Sequence, residues 1–201
     1  MADAAEVARS WASEEDSCWK VDLSLRWHRA SATYWLYVTA QGPRPLSVSG
    51  KSSFGFVLNK PSILNLGDLV DELAFLENQV YVGGPVQQNT LHFIYFGEKR
   101  LEGSLPIGQD LWWGGDFESL VEQLKSGIMD PDLVRFFIGY SGWGSGQLSD
   151  ELNENTWIIC DNQIDPEVLK NTPDELWRVI LKKMGGEFKV IANYPLDPRL
   201  N

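Results

Sequence analysis

Several short stretches of this 201-residue chain carry residue types that could do chemistry. PLSVSGKS, Pro45 to Ser52, sets Gly50, Lys51 and Ser52 in the order of a phosphate-binding loop, with Pro45 where the first glycine should stand. Such a loop must lead from a strand into a helix, so that free amides and the helix dipole meet the anion. Here Lys51 and Ser52 run straight into the strand-like FGFVLN, and a turn before a strand is the better reading. GGDF, Gly114 to Phe117, lacks the Glu of a GGDEF cyclic-dinucleotide signature, and Asp116 reads as a helix cap. In GYSGWGSG neither Ser141 nor Ser145 makes GxSxG, because Trp143 takes a glycine position of each. A nucleophile elbow also needs a histidine base, and the chain offers only His28 and His92. Between Leu91 and Phe93 on an apolar strand, His92 fits a packed structural residue better than a general base. Asp150, Glu151 and Glu154 fall on one short helix as a solvated acidic face; catalysis by them would require one buried with a raised pKa. Trp143, among small residues, is expected to present an exposed indole to a ligand or partner.

Positioning these residues requires a mixed set of short elements. Ala32 to Thr39 is aromatic and β-branched enough for a strand, whereas QGPRPLSVSG from Gln41 has coil composition. FGFVLN is an apolar strand that Pro61 should end. Asn65 can cap a helix whose Leu66, Leu69, Val70 and Leu73 share a stripe. VYVGGPV and TLHFIYF read as a hairpin, Val80 to Phe96. LWWGG is a strand stopped by glycines, and Phe117, Leu120, Val121 and Leu124 recur at helical spacing until Gly127. RFFIGY is a buried strand, followed by the loop SGWGSG, a helix from about Gln147 to Glu154 and the strand TWIIC. Thr172, Pro173 and Glu175 make the clearest helix start, with Leu176, Ile180 and Met184 inward and Gly185 as the stop. EFKVIANYP then offers a last strand. The irregular mixture lacks βαβ alternation and points to a single α+β domain.

Charge and composition bound the function. Seventeen basic against 28 acidic residues give −11, so the mean field repels phosphate backbones and anionic lipid. Residues 1–50 carry five basic and six acidic side chains, residues 51–201 twelve and 22, so the acidity is concentrated in the later part. No window approaches the ~20 apolar residues of a membrane helix, and the acidic start is unlike a secretory signal. Cys18 and Cys160 are too far apart for a CxxC site, and two histidines cannot complete a zinc cluster. A cytoplasmic protein with reduced thiols, no metal and no cofactor is therefore expected.

Six blocks stand in a telling order and spacing: FGFVLNKP (Phe54 to Pro61), YVGGPV (Tyr81 to Val86), LHF (Leu91 to Phe93), WGGDFESL (Trp113 to Leu120), FFIGYSGWGSGQLSDEL (Phe136 to Leu152) and NTWII (Asn155 to Ile159). Together they resemble the YqgE/AlgH family of bacterial proteins, most closely in GYSGWGSGQL. The resemblance implies an α+β domain with a bifurcated sheet forming a pseudo-barrel flanked by helices. It implies no activity, since the family's description as transcriptional regulators rests on genetics rather than on a demonstrated chemistry. It spans residues 51–201. Residues 1–50 form an atypical N-terminal segment, because Lys20 to Gly50 lacks the family's GKLLIAxP, FxRSVVLL and EHNxxG pieces through either divergence or a local reading-frame shift.

Carried over by this resemblance are Gly55, Asn59, Lys60 and Pro61; Gly83, Gly84 and Pro85; His92; and Gly142, Trp143, Gly144, Gly146, Gln147 and Glu151. None has an assigned catalytic role in the family. The glycines would let backbone amides approach a small ligand or protein partner, and the helix from Gln147 would offer an anion site at its start. The expected site is a pocket between the bends near residues 83 and 144. Direct nucleic-acid contact is opposed by the charge, so regulation would be indirect. The competing reading is an enzyme with His92, Asn59 and Glu151 converging on that pocket. A third, an interaction module, requires an exposed apolar patch around Trp143.

Overall fold

The computed structural model describes residues 20–28, 33–43, 51–154, 157–160 and 165–194, with side chains from residue 53 onward. Among the described residues ten strands form one mixed sheet: β1 (Lys20–His28), β2 (Thr33–Pro43), β3 (Lys51–Val57), β4 (Pro61–Asn65), β5 (Gln79–Val82), β6 (Val86–Phe96), β7 (Leu105–Gly108), β8 (Leu111–Trp113), β9 (Val134–Trp143) and β10 (Trp157–Cys160). Among the described residues five α-helices flank it: α1 (Phe117–Lys125), α2 (Gln147–Asn153), α3 (Glu167–Lys170), α4 (Pro173–Met184) and α5 (Phe188–Ile191). The strand order is β10-β1-β2-β3-β9-β6-β8-β7, an open path whose last strand comes within 8 Å of β1 between Cα atoms without pairing to it. This is the expected α+β class with a bifurcated, barrel-like sheet.

The fork lies on β9. One edge of β9 pairs with antiparallel β6 from Val134 to Ile138 and, past a bulge in β6, again at Tyr140. The other edge is shared: Phe136 to Ile138 pair with β5 in parallel, and Ser141 to Trp143 pair with β3 in antiparallel register. Between the two halves Gly83 stitches the split, donating to Ile138 O at 3.0 Å and accepting from Val57 N at 2.9 Å. VYVGGPV and TLHFIYF are thus not a hairpin. They lie on opposite edges of β9, because a strand with apolar residues on both faces is best satisfied at the centre of a sheet.

Other expectations shift for local reasons. Pro61 does not end the strand; it begins β4, an edge strand where a missing amide costs no ladder bond. The helix after Asn65 is two 3-10 turns, Leu66–Asp68 and Asp71–Leu73, since Gly67 folds onto Ala74 so tightly that a β-carbon would stand 2.9 Å from its Cα. Of the expected stripe Leu66 and Leu73 are buried, while Leu69 and Val70 are only partly so. The strand RFFIGY continues through Trp143 and absorbs half of the supposed loop. The coil expected from Gln41 begins as strand to Pro43, and its remainder up to Gly50 lies outside the described residues. Residues 188–191 are helical rather than a strand, with Ala192 N bonded to Phe188 O at 2.9 Å.

Most helix signals hold. Asp116 accepts from Ser119 N at 2.8 Å and starts α1, which buries Leu120, Val121 and Leu124, each worth roughly 1.5–3 kcal/mol. α4 starts after Thr172 and ends at Gly185, whose φ of 77° suits a glycine stop. Lys51 and Ser52 sit in β3, as the strand reading of that stretch required, opposite Pro43 and Gly42. Among the described residues no helix is long and apolar enough to cross a membrane.

Candidate functional site

The residues carried over from the sequence fall into separate groups. Gly83 and Gly84 pack flat on β9: a β-carbon on Gly83 would lie 2.4 Å from Gly139 O, and one on Gly84 2.2 Å from the Tyr140 carbonyl carbon. Ser141 Oγ donates to Gly83 O at 3.3 Å, Gly55 pairs with Ser141, and Gly142 pairs with Phe54. The close backbone approach that glycine permits is therefore realised within the chain, at the fork. Lys60 O accepts from Val82 N at 2.8 Å and Pro61 pairs with Tyr81, which ties the turn at Asn59 to β5; Asn59 is buried and Pro85 exposed.

A second group gathers at α2. Gly144 N donates to Gln147 Oε1 at 3.1 Å, Gln147 Nε2 to Glu151 Oε1 at 3.3 Å, and Trp157 Nε1 to Glu151 Oε2 at 3.2 Å. Trp143 is 5% exposed and meets Trp157 edge-on at 5.9 Å, in a cluster with Val57 and Leu148. The indole expected to face solvent is instead core, because β9 carries it inward and α2 closes over it. Gly146, with φ of 80°, turns the chain into α2. That helix has only seven residues and Asp150 in its first turn, which weakens any anion site at its start.

His92 stands alone. It is fully buried on β6, and neither ring nitrogen has a hydrogen-bond partner. Phe56, Tyr140 and Trp113 surround it at 5.5, 5.7 and 6.2 Å between ring centroids. Burial drives its pKa from 6.5 down to about 4, so the ring is neutral at pH 7. No direct hydrogen bond links it to Asn59 or Glu151.

A cleft the sequence did not suggest opens where the segment before β5 meets the start of β9. It encloses about 380 Å³ and is bordered by Phe75 to Gln79, Tyr81, Pro131, Asp132, Val134, Arg135 and Leu169. Arg135 is 4% exposed. Its Nη1 donates to Leu58 O at 2.8 Å, its Nη2 to Leu169 O at 2.5 Å, and its guanidinium lies 4.4 Å from the Tyr81 ring centroid. Burial lowers its pKa from the usual range, offset by Tyr81. No group of three or more His, Cys, Asp or Glu among the described residues could hold a metal ion. The one available signal for this site was an arginine heading the apolar run RFFIGY.

The AlgH-like family model matches residues 46–189. The chain belongs to the AlgH-like family. A UPF0301 protein of Cytophaga hutchinsonii is 43% identical over 150 residues, covering 74% of this chain and 82% of the relative. One from Bacteroides thetaiotaomicron is 31% identical over 152 residues, 75% of this chain and 76% of the relative. In solved structures the AlgH-like fold recurs in the AlgH protein of Pseudomonas aeruginosa, with a TM-score of 0.60 and 23% identity over 87% of this chain and 93% of that one. A protein from Corynebacterium diphtheriae shares it at a TM-score of 0.64 and 16% identity, covering 96% and 99%.

Proposed function

We propose that this AlgH-like chain works by binding, as a cytoplasmic regulator that influences transcription without itself contacting DNA. The observation that carries the reading is the separation of a binding feature from acid–base groups. The Arg135 cleft holds a fixed cation, while His92, the only described histidine side chain, is sealed among aromatic rings. An imidazole with no proton path and a pKa near 4 is a poor general base at pH 7, which weighs against the enzyme built on His92, Asn59 and Glu151. The buried Trp143 removes the apolar patch on which an interaction module would rest. The net charge of −11 opposes duplex binding, and the regulatory role itself rests on the family resemblance.

A gel-shift at physiological salt with genomic promoter fragments tests the reading. Retention is expected to be absent or independent of sequence; tight, sequence-selective retention would overturn it. A thermal-shift screen of metabolites supplies the positive arm, since a ligand at a hundred times its dissociation constant adds roughly 2.7 kcal/mol.

A further inference from the structure

Arg135 is held rigidly but incompletely used. A guanidinium has five N–H donors, and two of them meet the carbonyls of Leu58 and Leu169. Among the described residues no carboxylate of the chain pairs with it. A buried charge lacking its counter-ion is costly, and the Tyr81 face offsets only part of that cost. A clamp joining β9 to the turn after β3 and to α3 would account for the two carbonyl bonds. It does not account for a guanidinium that borders a cleft of about 380 Å³, within the range of small-molecule sites.

We propose that this cleft binds a small organic monocarboxylate, whose carboxylate pairs with the remaining N–H groups of Arg135 and whose apolar body lies against Leu76, Val134 and Leu169. The planar donor fork matches a carboxylate, and the two carbonyl bonds fix its orientation before the ligand arrives. Phe75, 57% exposed, extends the apolar wall toward solvent. Glu77 and Asp132, both exposed at the same cleft, repel a second negative charge and so select a monoanion over a phosphate ester. The inference rests on the reading that the chain acts by binding, and gives that binding a chemical class.

Titration of the 15N-labelled full chain with phenylacetate, followed by amide chemical shifts, is the test. Saturable shifts are expected at Tyr81, Val134, Arg135 and Leu169. Phenylacetamide, isosteric and neutral, should bind at least about tenfold more weakly, and inorganic phosphate should leave these amides in place. Arg135→Lys keeps the charge but not the fork and should weaken phenylacetate by about tenfold or more. Should that variant fail to fold, the exposed pair Glu77→Gln and Asp132→Asn provides the second arm, with binding about threefold tighter at low salt. Unmoved amides, equal binding of phenylacetamide, or stronger shifts with phosphate would each overturn the proposal. A stabilising metabolite from the thermal screen, found while phenylacetate leaves these amides unmoved, would sink the carboxylate site and spare the binding reading; sequence-selective DNA retention would sink that reading whatever the cleft holds.

Discussion

Gly84 lies against the backbone of Tyr140 so closely that a β-carbon there would stand 2.2 Å from the Tyr140 carbonyl carbon and 2.3 Å from Ser141 N. Backbone atoms of a central strand cannot move aside without breaking its ladder. Gly84→Ala is therefore expected to cost more than about 3 kcal/mol or prevent folding. Gly146→Ala, where φ is 80° but the space is open, should cost only about 1–2 kcal/mol. Urea denaturation of the two variants checks the contrast, and equal losses would contradict the fork geometry.

His92 predicts a pH dependence with a definite sign. Its folded pKa of about 4 lies below the ordinary 6.5, so between these values the unfolded chain takes up a proton that the native chain does not. Stability should fall as pH drops through this window, by about 3 kcal/mol from this group. His92→Leu, of similar volume, removes both the titration and two unsatisfied nitrogens. It should gain about 1 kcal/mol at pH 7 and flatten the acid limb. Guanidinium midpoints at pH 7 and pH 4.5 for both proteins measure it; a variant with an unchanged acid limb would refute the assignment.

Cys160 should be inert. It is 2% exposed, its thiol is pushed up to about 12 by burial, and its Sγ sits 3.4 Å from Met184 Sδ. The thiolate is the reactive species, so labelling by a thiol reagent in a Cys18→Ser background should proceed only as fast as the protein opens. Rapid labelling in native buffer would place this side chain elsewhere.

The N-terminal segment carries a prediction at the level of the gene. Both edges of β2 are paired, to β1 and β3, so this is an interior position of the sheet. KVDLSLRWH and TYWLYVTAQGP are more polar there than the LLI and VVLL runs the family carries. We propose a local reading-frame shift across Lys20 to Gly50. Translating the coding DNA in the other two frames should restore GKLLIAxP, FxRSVVLL and EHNxxG; their absence from both frames would establish divergence.

Local chemistry made much of the fold legible in the residues themselves. Asp116, Thr172, Gly127 and Gly185 mark helix ends because caps act within a few residues. The family was equally legible, since GYSGWGSGQL and its companions survive as ordered strings. Partners across the sheet were not, because pairing joins residues far apart in sequence: nothing near Gly84 names Tyr140, and nothing near Trp143 reveals that Trp157 and α2 will cover it. Arg135 shows the limit most plainly. Leu58, Leu169 and Tyr81 approach it from three separate segments, and only their convergence turns an arginine at the head of an apolar strand into a buried cation at the wall of a cleft.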